Sequence, residues 1–70
     1  MFVTLKDKST IAVHDDTGVI RAVKTISPQY KVTGIQMIGD TIVVATTKGT
    51  LVYKKDASPS SYAFYLYRQY

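Results

Sequence analysis

The sequence predicts an all-β domain, and three observations support this prediction. Thr, Val, Ile and Tyr, which favour extended backbone, are abundant in the 70 residues, whereas Glu, Asn and Trp are absent. Short alternations of apolar and polar residues are separated by turns that contain Gly or Asp. One segment also recurs later in the chain. Together these features predict a single small β domain over residues 1–70.

The recurring segment relates residues 10–28 to residues 41–59 at a constant offset of 31. The identical pairs are Thr10/Thr41, Ile11/Ile42, Val13/Val44, Gly18/Gly49, Lys24/Lys55, Ser27/Ser58 and Pro28/Pro59. Other pairs exchange one apolar residue for another, so the spacing of the buried positions is retained. We therefore predict two tandem three-stranded antiparallel units, residues 2–28 and 32–59, followed by a C-terminal aromatic strand over residues 62–68.

The first unit begins with a short strand over residues 2–5 and a polar turn. Residues 10–14 alternate cleanly, with Ile11 and Val13 on one face and more polar positions on the other. Residues 15–18 have the composition of a hairpin loop, because Gly accepts a positive φ there. The third strand, residues 19–26, ends before Pro28, since proline cannot donate to a strand ladder.

The second unit follows the same plan, with strands over residues 32–37, 41–46 and 50–55. Its middle strand is apolar on both faces, with Val43 and Ala45 on the side opposite Ile42 and Val44. A strand of this kind is usually covered from two directions. We therefore expect a second layer over this strand.

The C-terminal segment, residues 62–70, holds five of the eight aromatic residues. An exposed strand that is aromatic on both faces would favour aggregation, so it must be paired and covered. It is either the last core strand of this subunit or a strand that docks on a neighbouring copy or a partner. The predicted protein-interface residues are Tyr62, Phe64, Tyr65, Leu66 and Tyr67.

Size and composition limit how such a domain is stabilised. A core of this size is marginal, and the absence of cysteine excludes disulfides and thiolate zinc sites. One histidine and five Asp make a metal site hard to assemble, so we expect no metal and no cofactor. Self-association remains as reinforcement, and we expect a homo-oligomer. With no signal peptide or membrane span in the apolar pattern, we expect a soluble cytoplasmic protein.

Residues 39–53 resemble the hairpin of β-propeller blades of the quinoprotein-like and related kinds. In those families a Gly-Asp turn precedes an apolar strand, a polar loop ends in Gly, and the next strand carries Leu and Tyr. The resemblance implies three or four strands per unit in a radial arrangement, closed into a ring by several chains. The period of 31 is shorter than the roughly forty residues of ordinary blades. A small sandwich or barrel of two meanders is the alternative.

Catalytic motifs are scarce. Asp16-Thr17-Gly18 spells the aspartic-protease triplet, but the repeat places Thr47-Lys48-Gly49 at the equivalent loop, so a turn-forming role explains it. His14 is the only candidate base for a nucleophile, and its place beside a turn is typical of a solvated histidine. Phosphate-binding and dinucleotide motifs are absent from the sequence. We expect no enzymatic activity.

The basic residues support an alternative function. The net charge is +4, which favours anionic partners. If the hairpin ends gather on one side, lysines and neighbouring tyrosines could form a positive ledge for nucleic acid or a nucleotide. The candidate residues for an anionic ligand are Arg21, Lys24, Tyr53, Lys54 and Lys55. Solvated strand edges are the simpler explanation of the same lysines.

The sequence thus favours a non-enzymatic binding or assembly module that acts through protein–protein contacts. Such a module could be an accessory protein, an inhibitor or a structural subunit, and its small size and lack of catalytic groups are typical of phage-encoded, viral proteins. A basic β-barrel that binds nucleic acid or a nucleotide is the alternative.

Overall fold

Seven β-strands build the fold in the computed structural model, which describes residues 1–58 and 60–70. The strands are β1 (Phe2–Asp7), β2 (Thr10–His14), β3 (Ile20–Thr25), β4 (Val32–Ile38), β5 (Thr41–Thr46), β6 (Gly49–Lys55) and β7 (Phe64–Gln69). One antiparallel sheet has the order β1-β2-β3 and the other has the order β4-β5-β6-β7. The predicted all-β fold, two three-stranded units plus a C-terminal strand, is confirmed. The described residues contain no helix that is long and apolar enough to cross a membrane.

A single hydrophobic core lies between the two sheets. Ile11 and Val13 from the centre of one sheet meet Ile42 and Val44 from the centre of the other, and all four side chains are at most 1% exposed. These residues form two identical pairs of the repeat. Complete burial of an aliphatic side chain of this size contributes about 1.5–3 kcal/mol. The other buried members of the cluster are Ile26, Leu51, Tyr53 and Phe64.

The two copies differ in how their third strands pair. Ile11 of β2 lies opposite Lys24, whereas the equivalent Ile42 of β5 lies opposite Tyr53. The repeat equivalent of Lys24 is Lys55, so the third strands are displaced by two residues relative to one another. Because side chains alternate with a period of two, a displacement of two keeps the same residues on the core side.

The hairpin loops account for one residue of this displacement, and an extra residue in β3, Arg21, accounts for the other. Residues 15–19 connect β2 to β3, whereas only residues 47 and 48 separate β5 from β6. Gly18 and Gly49 nevertheless both have positive φ, at 89° and 122°. Gly49 additionally lies under the backbone of Tyr70, whose amide and carbonyl both bond to Thr50. Pro59, the second member of the repeat pair Pro28/Pro59, lies outside the described residues.

All four edge strands contain a bulge. The pairing registers leave one extra residue in each of β1, β3, β4 and β7, and these are Lys6, Arg21, Thr33 and Tyr67. A bulge twists an edge strand and interrupts its ladder of free backbone groups. Each sheet edge is therefore poorly suited to pairing with another chain.

The outer faces of the central strands differ from the predictions. Ala12, expected on a polar face, is fully buried, because this small side chain lies between Thr4 and Val23 on the flanking strands. Val43 and Ala45, expected to be covered from two directions, are only half-buried. The core covers one face of their sheet, and the opposite face points outward.

Glycine substitutions test the two loops. Gly18→Ala adds a side chain in open space at positive φ, so we expect a loss of about 1–2 kcal/mol in the free energy of unfolding. Gly49→Ala should lose more, since its Cβ would also collide with the Tyr70 carbonyl oxygen. Gly34→Ala is the control, because its Cβ would meet Ala45 Cβ at an ordinary 3.8 Å. Urea denaturation measures all three, and equal losses at Gly49 and Gly34 would contradict this interpretation.

Candidate functional site

The C-terminal aromatic segment forms β7 and divides its side chains between the two faces of the sheet. Phe64 is 8% exposed and packs edge-to-face on Tyr53, with ring centroids 5.5 Å apart. Tyr65 and Tyr67 are 51% and 57% exposed. The segment therefore has features of both predicted alternatives, a core strand of this subunit and a strand with an exposed contact surface. It is the last strand of this chain's own sheet, and its outer side presents aromatic rings to solvent.

The predicted interface residues do not all lie on that outer side. Phe64 belongs to the core, and Tyr62 is half-buried against it, with the Arg21 guanidinium carbon 5.1 Å from its ring centroid. Leu66 lies opposite Tyr53, on the core side of β7, and is only partly covered. Tyr65 and Tyr67 are the two predicted residues that combine an outward position with high exposure.

We define the tyrosine face as the outer surface around β6 and β7. Its members are Tyr65, Tyr67, Tyr70, Lys54, Arg68, Val43, Ala45 and Val52. The Lys54 ammonium lies 4.2 Å from the centroid of the Tyr67 ring. The Arg68 guanidinium carbon lies 5.6 Å from the Tyr70 ring centroid. The face therefore combines rings, cations and half-buried aliphatic side chains, and none of its members is acidic.

Tyr70 is a member that the sequence reasoning missed. It is 69% exposed, and Arg68 Nη1 donates to its hydroxyl oxygen over 3.4 Å. This hydrogen bond is the main reason that the pKa of Arg68 is raised above its ordinary value. Strict alternation from Tyr65 and Tyr67 would place Tyr70 on the side of Phe64 and Leu66. The extra residue at Tyr67 reverses the alternation, so that Arg68 and Tyr70 join the outward tyrosines.

The residues proposed for an anionic ligand do not form one ledge. Lys24 Nζ lies 5.3 Å from the Tyr53 ring centroid, on the core side. Lys54 follows Tyr53 in β6. Because consecutive residues of a strand point to opposite faces, Lys54 points to the outer face of the sheet. Lys55 Nζ donates to the carbonyl oxygens of Asp56, Ser58 and Ser61 over 2.9–3.0 Å. Burial of Tyr53 raises the pKa of its hydroxyl, and the ring itself is part of the core.

Arg21, the remaining residue predicted for an anionic ligand, also makes contacts within the fold. Its Nη1 lies 3.5 Å from Asp15 Oδ2, and its guanidinium covers the Tyr62 ring. This residue therefore links the β2–β3 loop to the segment that precedes β7.

The β2–β3 loop is organised by Asp15. Its Oδ1 accepts hydrogen bonds from the Thr17 hydroxyl, the Thr17 amide and the Val19 amide over 2.6–3.1 Å. These bonds, the hydroxyl first, lower the pKa of Asp15. Asp16, the acidic member of the protease-like triplet, has a 93% exposed side chain that pairs with the amino group of Met1. The triplet thus lies in a turn whose two carboxylates, those of Asp15 and Asp16, are both engaged by contacts within the fold.

His14 is less solvated than the sequence suggested. Phe2 stacks on its ring at a centroid distance of 4.6 Å. Nε2 lies 2.7 Å from Thr4 Oγ1, and Nδ1 lies 3.1 Å from the Gly18 carbonyl oxygen. Both ring nitrogens are therefore engaged in holding β1 and the loop together. Among the described residues, no three His, Cys, Asp or Glu side chains cluster in a way that could hold a metal ion.

Comparison with known proteins places the chain in no family. No family model matches the sequence, and no curated protein or solved structure matches it either. The resemblance of residues 39–53 to propeller blades therefore stays a prediction.

The lowered pKa of Asp15 predicts how stability depends on pH. A carboxyl with a depressed folded-state pKa stabilises the protein above its unfolded pKa, and this contribution is lost as the pH falls through the folded value. We expect Asp15→Asn to be less stable than wild type at neutral pH, with the difference closing in acid. Asp16→Asn is the matched control and should show a smaller difference. Unfolding free energies measured from pH 7 to pH 2 check this, and a pH-independent Asp15→Asn difference would contradict it.

The contacts of Lys55 and Lys54 predict unequal effects of the same substitution. Lys55→Met removes three charge-assisted hydrogen bonds, so we expect a loss of about 1–3 kcal/mol in unfolding free energy. Lys54→Met removes an exposed contact with one ring and should cost less than about 1 kcal/mol. Chemical denaturation of both variants tests this, and the reverse order would show that the Lys55 contacts do not stabilise the fold.

Proposed function

We propose that this chain is a non-enzymatic binding and assembly module that contacts protein through its tyrosine face. The supporting observation is that Tyr65 and Tyr67 remain more than half exposed although they lie in a strand that is paired with β6. Large rings with a polar hydroxyl are enriched at protein interfaces, where the ring is buried and the hydroxyl stays hydrogen-bonded. Val43, Ala45 and Val52 extend the apolar surface toward the sheet centre.

The bulged edges favour the face over the edge as the contact. β7 is interrupted at Tyr67, and Lys24 Nζ already donates to the Phe64 carbonyl oxygen over 3.2 Å. A strand added at this edge would lose part of its ladder. Sheets also associate by packing face to face at about 10 Å, and that mode needs only the outer side chains.

The occupant that we propose is a second copy of this chain. The tyrosine face carries both cations and the electron-rich rings that receive cations, so the face is complementary to itself. A two-fold axis lets Lys54 and Arg68 of one copy lie over rings of the other. Self-association also adds buried surface to a 70-residue domain whose own core is small.

Binding of nucleic acid or a nucleotide is the second candidate, and one observation favours it. Lys54 and Arg68 lie beside exposed tyrosine rings, the combination on which single-stranded nucleic acid stacks. Against it, Lys24, Lys55 and Arg21 make contacts within the fold and do not extend this basic surface. For either function we propose a cytoplasmic location, with which the absence of cysteine is compatible.

Sedimentation velocity over a concentration series tests the proposed self-association. We expect the wild type to form a dimer, and Tyr65→Ser/Tyr67→Ser to weaken dimerisation at least tenfold, equivalent to about 1.4 kcal/mol. Circular dichroism should show that this variant is folded. The matched control is Val19→Ser/Val23→Ser, since these residues are similarly exposed on the other sheet and its loop. A monomeric wild type, or equal weakening in the control, would contradict the proposal.

The response to salt separates the two candidates. Dimerisation brings Lys54 and Arg68 of both copies together, so added sodium chloride should screen their repulsion and strengthen the dimer. Binding to a single-stranded oligonucleotide should weaken steeply with salt. Tight, salt-sensitive oligonucleotide binding by a monomeric chain would favour the nucleic-acid function.

A further inference from the structure

A cavity of about 380 Å³ opens on the core side of β7, opposite the tyrosine face. Its apolar walls are Ile26, Leu51, Tyr53 and Leu66. Ile26, Leu51 and Tyr53 are buried members of the core, whereas Leu66 is 48% exposed at the mouth. The volume lies within the range of roughly 300–1,000 Å³ that small-molecule sites occupy. We call this space the Lys24 cavity, after the one cation that lines it.

The ammonium of Lys24 has incomplete partners. It lies 5.3 Å and 5.5 Å from the ring centroids of Tyr53 and Phe64, and it donates to the Phe64 carbonyl oxygen. An ammonium has three N–H donors. In the parts of the chain that the structure describes, residues 1–58 and 60–70, no carboxylate lies within ion-pair distance of it. A half-buried cation of this kind attracts an anion more strongly than a solvated one does.

The other end of the cavity is polar but uncharged. Gln69 Nε2 donates to the Tyr30 hydroxyl oxygen over 2.8 Å, and both residues line the cavity. The Tyr30 hydroxyl keeps its own proton for a further acceptor. Phe64 and Gln69 are five residues apart on β7, a separation of about 16 Å in an extended strand. The cavity therefore runs from a cation, past apolar walls, to a neutral hydrogen-bonding pair.

We propose that the Lys24 cavity binds a flat or elongated apolar molecule with a single negative charge, such as an aromatic or aliphatic carboxylate or sulfonate. The anionic group lies at Lys24 Nζ, and the apolar body lies against Leu51, Tyr53 and Leu66. This activity goes beyond the proposed assembly function, because it uses the core side of β7 and none of the tyrosine face. Loss of one does not entail loss of the other.

Two naphthalene dyes test the charge requirement. 8-Anilinonaphthalene-1-sulfonate carries a sulfonate on apolar rings, and N-phenyl-1-naphthylamine has the same rings without the charge. In fluorescence titrations we expect the wild type to bind the sulfonate at one site, at least tenfold more tightly than the neutral dye. Lys24→Gln should remove most of that preference and leave binding of the neutral dye unchanged. Lys54→Gln, on the outer face, is the matched control and should change neither.

Two further variants keep the proposal testable if Lys24→Gln does not fold. Leu66→Trp retains the charge and fills the mouth, so it should weaken binding of both dyes at least tenfold. Tyr65→Ser/Tyr67→Ser should bind the sulfonate as the wild type does, since these rings lie outside the cavity. Equal wild-type affinity for the two dyes would overturn the proposal. Unchanged binding in folded Leu66→Trp, or binding lost in the tyrosine variant, would overturn it as well.

Discussion

The contact between two central strands, β2 and β5, is the interaction on which the rest of the structure depends. Ile11 and Val13 supply one side of it and Ile42 and Val44 the other, at positions that the internal repeat makes equivalent. Neither three-stranded meander has a second layer of its own, so each buries its apolar face only against the other copy. In a domain of this size, that shared core must offset most of the entropy lost in ordering the chain.

The differences between the copies produce the features that we connect with function. The second sheet has a fourth strand, β7, and the facing sheet has three strands, so the core side of β7 is incompletely covered. The partial exposure of Leu66 and the cavity beside Lys24 both follow from this mismatch. The outer side of the same strand carries the exposed tyrosines. A single added strand thus generates both the surface that we propose for protein contact and the cavity that we propose for a small ligand.

Strand positions could be read from the sequence because they depend on local alternation and turn residues. The predicted strands over residues 10–14 and 41–46 coincide with β2 and β5, and the other five differ by one or two residues at one or both ends. The bulges could not be predicted in this way. An extra residue such as Arg21 or Tyr67 changes which residues face one another across strands, and that pairing depends on tertiary contacts.

The candidate site was only partly predictable, because alternation within a strand is local whereas burial of its side chains depends on tertiary contacts. The outward positions of Tyr65 and Tyr67 follow from alternation, but Phe64 is buried because the opposite sheet faces it. Lys54 and Lys55 are neighbours in sequence and point to opposite faces, so alternation alone argues against one positive ledge. The capture of Lys55 by three carbonyl oxygens depends on the path of the following loop, which composition does not specify.

Native-state hydrogen exchange tests the central claim, a core shared by both copies, most directly. If the two sheets stabilise one another, the slowest amides of β2 and β5 should exchange with the same opening free energy, equal to that of global unfolding. Exchange of β2 through a lower-energy opening that leaves β5 protected would contradict the account, because the second sheet would then be stable without the first.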